Sequence, residues 1–465
     1  MKKNIQLFLM FITLTGYATT YHVGSTRAYV SPRALYSANI VQNGDIIEID
    51  EETYIGNAAL AVWNRDNLII RGVGGKPHLV ANGQYIFGKG IWVCAGNNIT
   101  VENIEFSGAT VPDQNGAGIR LDGNGLTIRY CYFHDNENGI LTNNSNVGDI
   151  LIEYSEFNHN GFGAGFTHNL YIGHVNKLTF RYNYSHHALV GHNLKSRANE
   201  NYIMYNRIMD EQTGRSSRLI DLPNGGFSII MGNLLMQGSN AENNNLVGYG
   251  LEGLSNANNK LYLINNTLVN KRGTCNFIHI QGGTTIANIT NNIFTGIGNV
   301  INGTTTTMSN NVIEATISNM NFVDEANYDY HLNSNSPAIN VGTAVSSVNG
   351  NSLTPNMQYI HPTAFETRPT GTTIDVGAYE YDSTVFINDF LLEDVTIYPN
   401  PIQRSFNIKL NDNVLEKVIV FNELGKKIYK NTFTKVNILH LKSGIYYVKI
   451  VLKNGKTAIK KIIKS

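Results

Sequence analysis

At 465 residues the chain has room for two or three domains and a large core. Only 15% of it is charged, with Lys/Arg and Asp/Glu balanced at 35 each, so it lacks the strongly basic field of a general nucleic-acid binder. Cys94, Cys131 and Cys275 are too few and too far apart for a disulfide scaffold or a compact Cys/His metal site, and read as small buried apolar residues.

The chain opens MKKNIQLFLMFITLTGYA: two lysines, an apolar run from Ile5 to about Leu14, then small residues. That order is that of a secretory signal peptide over residues 1–18, with the mature chain beginning near Thr19. The run is short for a bilayer, and no later segment is long and apolar enough to span one. Export without a membrane span is the expectation.

From residue 19 to 383 the sequence repeats itself. TVENIEF (100–106), TIRYCYF (127–133), LIEYSEF (151–157), TFRYNYS (179–185), YIMYNRI (202–208), IIMGNLL (229–235), YLINNTL (262–268), NITNNIF (288–294) and TMSNNVI (307–313) share one pattern. Aligned on their ends, they stack Phe106, Phe133, Phe157, Ser185, Ile208, Leu235, Leu268, Phe294 and Ile313. Two places earlier runs a second column: Ile104, Cys131, Ser155, Asn183, Asn206, Asn233, Asn266, Asn292 and Asn311. Short alternating strands at such a period mean a solenoid, and helical periodicity is nearly absent. Asparagine tolerates left-handed backbone at a tight bend, and its amide can bond its counterpart one coil away. The fold expected is an all-β right-handed parallel β-helix.

A second set of strands follows each bend: GIRL (118–121), GILT (139–142), HNLYIG (168–173), GHNLKS (191–196), RLIDLP (218–223), VGYGLE (247–252) and FIHIQ (277–281). If Ile119, Ile140, Leu170, Leu194, Ile220 and Ile278 point inward, alternation sends Arg120, Leu141, Tyr171, Lys195, Asp221, Tyr249 and His279 outward. Tyr171, Lys195 and Asp221 then become neighbours, flanked by His168, His192, Asn193, Arg197 and Arg218. In so lightly charged a chain, this density marks the candidate site.

Residues 384–394 read as a linker. Residues 395–465 form a separate small β-sandwich carrying 14 Lys/Arg against Asp412, Glu416 and Glu423, which leaves 21 basic and 32 acidic residues in the body.

Over roughly residues 25–383 the chain resembles the right-handed, pectate-lyase-like β-helix superfamily. Its YHLNSNSPAINVG (330–342) and TIDVGAYEY (373–381) resemble the closing segment of secreted β-helix proteins. The tail, with YPNP (398–401), SGIYYVKI (443–450) and a Lys-rich last strand, is similar to a type IX secretion system C-terminal sorting domain. That resemblance implies a secreted or surface location and the type IX machinery as partner. LKSRANENYIMYNR (194–207) resembles the Lys-Ser coil of chondroitinase-B-type and alginate-lyase-type enzymes, in which the lysine is the base; Lys195 matches it. The next coil, RLIDLPNGG, puts Asp221 and Pro223 where that family carries an arginine.

β-Elimination on a uronate needs a cation for the sugar carboxylate, a base for the adjacent proton and an acid for the leaving oxygen. Lys195 suits the base, with His192 as substitute and its acidity raised by Arg197 and Arg218. Arg197 or Arg218 suits the carboxylate, and Tyr171 the acid. His168, Asn193, Asp221, Arg120, Tyr249 and His279 are expected to line the groove. The expectation is a monomeric polysaccharide lyase acting on an anionic polysaccharide. A C5-epimerase, a glycoside hydrolase using Asp221 and Glu252, and a non-catalytic glycan-binding solenoid remain as alternatives. No residue is assigned to a metal, and calcium is the one cofactor left open.

Overall fold

In the computed structural model the described residues are 18–145, 147–163, 165–304, 306–371, 373–381, 395–410, 414–422, 426–453 and 457–465. All but the last residue of the expected signal peptide, and the whole expected linker, lie outside them. Two compact units emerge, Met1–Tyr381 and Asp382–Ser465.

The first unit is a right-handed parallel β-solenoid. Among its described residues each inner coil contributes one strand to each of three parallel sheets, and incomplete end coils bring these to 12, 11 and 10 strands. The stacked end column is paired one for one through the 11-stranded sheet, from Phe106–Phe133 to Phe294–Ile313. Phe106, Phe133 and Phe157 stack with centroids 5.0 and 5.1 Å apart and are fully buried. Removing each such ring from water contributes about 1.5–3 kcal/mol. Cys94, Cys131 and Cys275 are free and buried.

The asparagine column forms a continuous ladder. Oδ1 of Asn206, Asn233, Asn266, Asn292 and Asn311 each accepts from the backbone N–H and the Nδ2 of the asparagine one coil before. The left-handed residue at these bends is not the ladder asparagine but its predecessor: Tyr130, Tyr154, Tyr182, Tyr205, Gly232, Asn265, Asn291 and Asn310. Reversed twist at that position turns the next side chain into the corner, where each buried Nδ2 also donates to a backbone carbonyl, as Asn206 does to Phe180 O and Asn233 to Ile203 O. The displaced tyrosines stack outside, Tyr130 on Tyr154 and Tyr182 on Tyr205.

One helix, Pro32–Ala38, departs from the all-strand expectation. Ser31 Oγ accepts from Ala34 N–H and proline occupies its first turn. Its Leu35 joins the apolar cluster that includes Trp63. At the other end, residues beyond 317 form short turns and two antiparallel hairpins, 322–324 with 329–332 and 357–360 with 364–367. This segment packs along the outside of the coils: Leu353 joins Tyr182, Tyr205 and Phe227, and Tyr330 and Tyr359 join Met209 and Met236.

The second unit contains two antiparallel sheets, one of strands 395–398, 405–410 and 435–437, the other of 415–422, 427–431, 444–452 and 457–464. Phe406, Ile408, Val418, Val420, Val448, Ile450 and Ile462 form its core.

Candidate active site

The 10-stranded sheet carries the predicted outward column. Its register aligns Arg120, Leu141, Tyr171, Lys195 and Asp221, coil upon coil. The next member is Gly248, followed by His279. Tyr249 therefore lies one place off: Val247, not Tyr249's neighbour Gly248, matches the inward Ile220 and Ile278, and this turns the tyrosine ring into the core. It is fully buried, with its hydroxyl donating to Gly226 O at 2.5 Å, and does not face the groove. Asn193 is also withdrawn from the surface. It sits at the corner between the 11- and 10-stranded sheets, accepting from Asn169 Nδ2 at 2.9 Å and donating to Asp210 Oδ1 at 3.2 Å.

That corner holds a second amide ladder, Asn136–Asn160–Asn169–Asn193, that ends on Asp210. Burial pushes the Asp210 carboxyl up to about 6, because only neutral donors face it. Its irregular spacing within the coils hid this ladder in the sequence.

Around Lys195 the side chains close into one network. Lys195 Nζ lies 2.9 Å from Glu252 Oε1, 3.7 Å from Asp221 Oδ2 and 5.5 Å from the centre of the Tyr171 ring. Arg197 donates from Nε to Tyr171 Oη at 2.8 Å, from one terminal nitrogen to Asn224 Oδ1 at 2.6 Å, and from the other to Glu252 Oε2 at 2.5 Å. Arg218 donates to Asp221 Oδ1 at 3.1 Å. Gly248 makes that possible: a Cβ there would stand 2.9 Å from Asp221 Oδ1 and 3.0 Å from Arg218 Cδ. Thus Arg197 and Arg218 each face a carboxylate, and the Lys195 ammonium has two. The sequence-based expectation that the arginines press on the lysine is replaced by an alternating network of both signs.

Behind this front lie the histidines. His168 and His192 stack face to face with centroids 5.0 Å apart, and His168 Nδ1 accepts from His192 N–H at 3.0 Å. Burial, then the nearby Lys195 and Arg197 charges, push His168 down to about 3. Burial and His168 likewise hold His192 well below its ordinary value, so both rings are neutral at physiological pH. His192 Nε2 points at Asp221 Oδ2 from 3.4 Å. Asp221 is 1% exposed, and burial raises its carboxyl despite Arg218 and Lys195. Glu252 goes the other way: partial burial raises it, but hydrogen bonds from Lys195 and Arg197 outweigh this and hold it low. His192 Nδ1, Arg218 Nε and Asp221 Oδ2 are buried without hydrogen-bond partners, so the site has unfilled polar capacity.

Arg120 and His279 share the column but not the network. Leu141 separates Arg120 from Tyr171, and Arg120 binds Asp122 at 2.9 Å. Gly248 separates His279 from Asp221. Asn224 was not among the predicted site residues, and Glu252 was named only for the hydrolase alternative. Both lie in turns that fold back over earlier coils, Glu252 N–H donating to Pro223 O. The GYGLEG and LPNGG turns were visible, but not where they reach. Calcium needs roughly six to eight oxygen ligands. Here the carboxylates are already engaged by Lys195, Arg197 and Arg218, and this donor set does not fit it.

The secretion system C-terminal sorting domain family matches residues 396–465. The tail is thus a sorting domain for export. No curated protein matches the chain in sequence. Among solved structures, the crystal structure of pectate lyase Pel9A is similar with a TM-score of 0.50 and 14% identity, over 78% of this chain and 98% of that one. At this identity the likeness establishes the β-helix fold. No helix among the described residues is long and apolar enough to cross a membrane.

Proposed function

We propose that the solenoid cleaves a uronic-acid-containing polysaccharide by β-elimination at the Lys195 network. The observation that carries this reading is Glu252. Its carboxylate bridges Lys195 and Arg197 from a turn, and its side chain is 47% exposed, whereas Asp221 is sealed beneath. A site that already holds one surface carboxylate between an ammonium and a guanidinium suits the carboxylate of a uronate, which would take the place of Glu252.

With the sugar carboxylate on Arg197, Lys195 first gives up its ammonium proton to solvent; the neutral amine then takes the proton at C5, and the resulting charge spreads into the neutralised carboxylate. The C4–O bond then breaks, a C4–C5 double bond forms, and the leaving oxygen takes a proton. Tyr171 suits that last role, because its oxygen accepts from Arg197 and its own hydrogen stays free to donate. Solvent returns Lys195 and Tyr171 to their starting states. Asp221 and Arg218 hold the floor. The sorting domain agrees with a substrate met outside the cell or at its surface. The substrate partner is an anionic polymer, and no metal takes part in the steps.

A second reading, glycoside hydrolysis, draws on the opposite shifts of Asp221 and Glu252, both within 3.7 Å of the same ammonium. A panel of alginate, glycosaminoglycan, pectate and bacterial exopolysaccharides separates the two. The lyase yields unsaturated, ultraviolet-absorbing ends, and Glu252→Gln keeps turnover while lowering KM, since the competing carboxylate is weakened. New reducing ends without unsaturation, abolished by either Glu252→Gln or Asp221→Asn, would instead establish the hydrolase. Proton exchange at C5 without cleavage would mean an epimerase, and binding without turnover a glycan-binding solenoid.

A further inference from the structure

On the 11-stranded sheet three consecutive coils bring together His78, Glu105 and His134. His78 pairs with Glu105, Glu105 with Tyr132, and His134 follows two residues on, so all three face outward while Leu79, Phe106 and Phe133 fill the core. Glu105 Oε1 lies 3.4 Å from His78 Nε2 and 3.0 Å from His134 Nε2, and one ligand atom from each residue lies within 4.8 Å of the others. Among the described residues this is the one such group of three.

The proton inventory makes the cluster unusual. His134 Nδ1 sits 2.6 Å from Asp135 Oδ2, a contact that places the ring hydrogen on Nδ1. With Nε2 bare, its lone pair meets a carboxylate oxygen 3.0 Å away; with both ring nitrogens protonated, the ring donates to Glu105 and Asp135 at once. His78 Nε2 is the third ligand atom, its other neighbour being Ser107 Oγ at 2.7 Å, a hydroxyl that can donate to it. A cation between the three atoms takes the place of that second ring proton of His134. Ligand atoms about 2.0–2.2 Å from a tetrahedral ion stand about 3.3 Å apart, close to the two distances observed. Two imidazoles and one carboxylate select a borderline transition metal over calcium or magnesium. Asp135 supplies the carboxylate that orients a ligating histidine.

We infer that His78, Glu105 and His134 bind one divalent transition metal ion of the zinc class, which staples three coils of the solenoid. The rings are partly exposed, 29% for His78 and 17% for His134, and leave the remaining coordination position to water. The ion sits on a different sheet from Lys195 and takes no part in the proposed chemistry.

The full chain, stripped with chelator and dialysed against zinc chloride at neutral pH, should retain one equivalent by elemental analysis and titrate 1:1 by calorimetry. His134→Gln and His78→Gln should each weaken that binding by more than tenfold. Asp135→Asn, which removes no ligand, should weaken it about tenfold to a hundredfold. Zinc should raise the melting temperature of the parent chain but not of the His78→Gln/His134→Gln double variant. The proposal is overturned by no retained zinc, by equal retention in the double variant, or by a protonated His134 whose nuclear magnetic resonance signals ignore added zinc. Each of these would mark the cluster as a plain histidine–carboxylate ion pair.

Discussion

Two columns of the same solenoid obey opposite rules. At the bend, Asn183, Asn206, Asn233, Asn266, Asn292 and Asn311 repeat one residue and one bond pattern, each amide completing the last. On the 10-stranded sheet, Arg120, Leu141, Tyr171, Lys195, Asp221, Gly248 and His279 occupy equivalent places and no two are alike. Repetition serves stacking, because identical coils offer identical partners. Departure from it gathers unlike charges that stacking does not require, and that is where chemistry belongs.

Lys195→Ala tests the contrast most strongly. Turnover on a responsive uronate polymer should fall by about two to four orders of magnitude, the range for a positioned acid–base group. The melting temperature should fall modestly, because the buried Asp221 loses one cation and keeps Arg218, so turnover is taken per folded molecule. Near-parental turnover would remove Lys195 from the mechanism.

The ladder should answer in the opposite way. Asn233→Leu strips the acceptor from the Asn206 N–H and Nδ2 and the donor from Ile203 O, all buried. Leaving such groups unpaired should cost about 3 kcal/mol in denaturant unfolding. Activity per folded molecule should hold. A tolerated Asn233→Leu would mean the ladder is ornament rather than support.

His168 offers a titration with a definite sign. Its ring accepts a proton below about pH 6.5 in the unfolded chain, but only near pH 3 in the folded one. The unfolded state thus binds more protons in between, so its contribution to stability is complete above pH 6.5 and is lost as pH falls toward 3. Melting temperature against pH should show this slope, and His168→Gln should reduce it while the buried His192 keeps its own share.

Smallest of all should be Tyr249→Phe. It removes one buried hydroxyl bonded to Gly226 O, worth about 1 kcal/mol, and should leave KM unchanged. A raised KM would return Tyr249 to the groove.

Much of the coil stacking could be read directly from residue order. The Phe106-to-Ile313 column and the Arg120-to-Asp221 column both follow from alternation, because a parallel sheet with one buried face ties register to the apolar pattern. The pattern failed at Tyr249, where two apolar residues flank a glycine and either phase satisfies alternation; only packing against Ile220 and Ile278 chose between them. It failed too at Asn193, which alternation alone would send outward with Lys195, but which the corner captures for its amide ladder.

The sequence by itself determined the all-β class, the repeat, the charge contrast of the tail and the identity of the basic cluster, because these rest on period and composition. Tertiary structure decided the partners. It set Glu252 between Lys195 and Arg197 across two coils, and it joined His78, Glu105 and His134 although no short spacing links them. The physical reason is the same in both cases: each coil returns the chain to a point about 4.8 Å above its start, so contact depends on coil length and turn path, which no local pattern encodes.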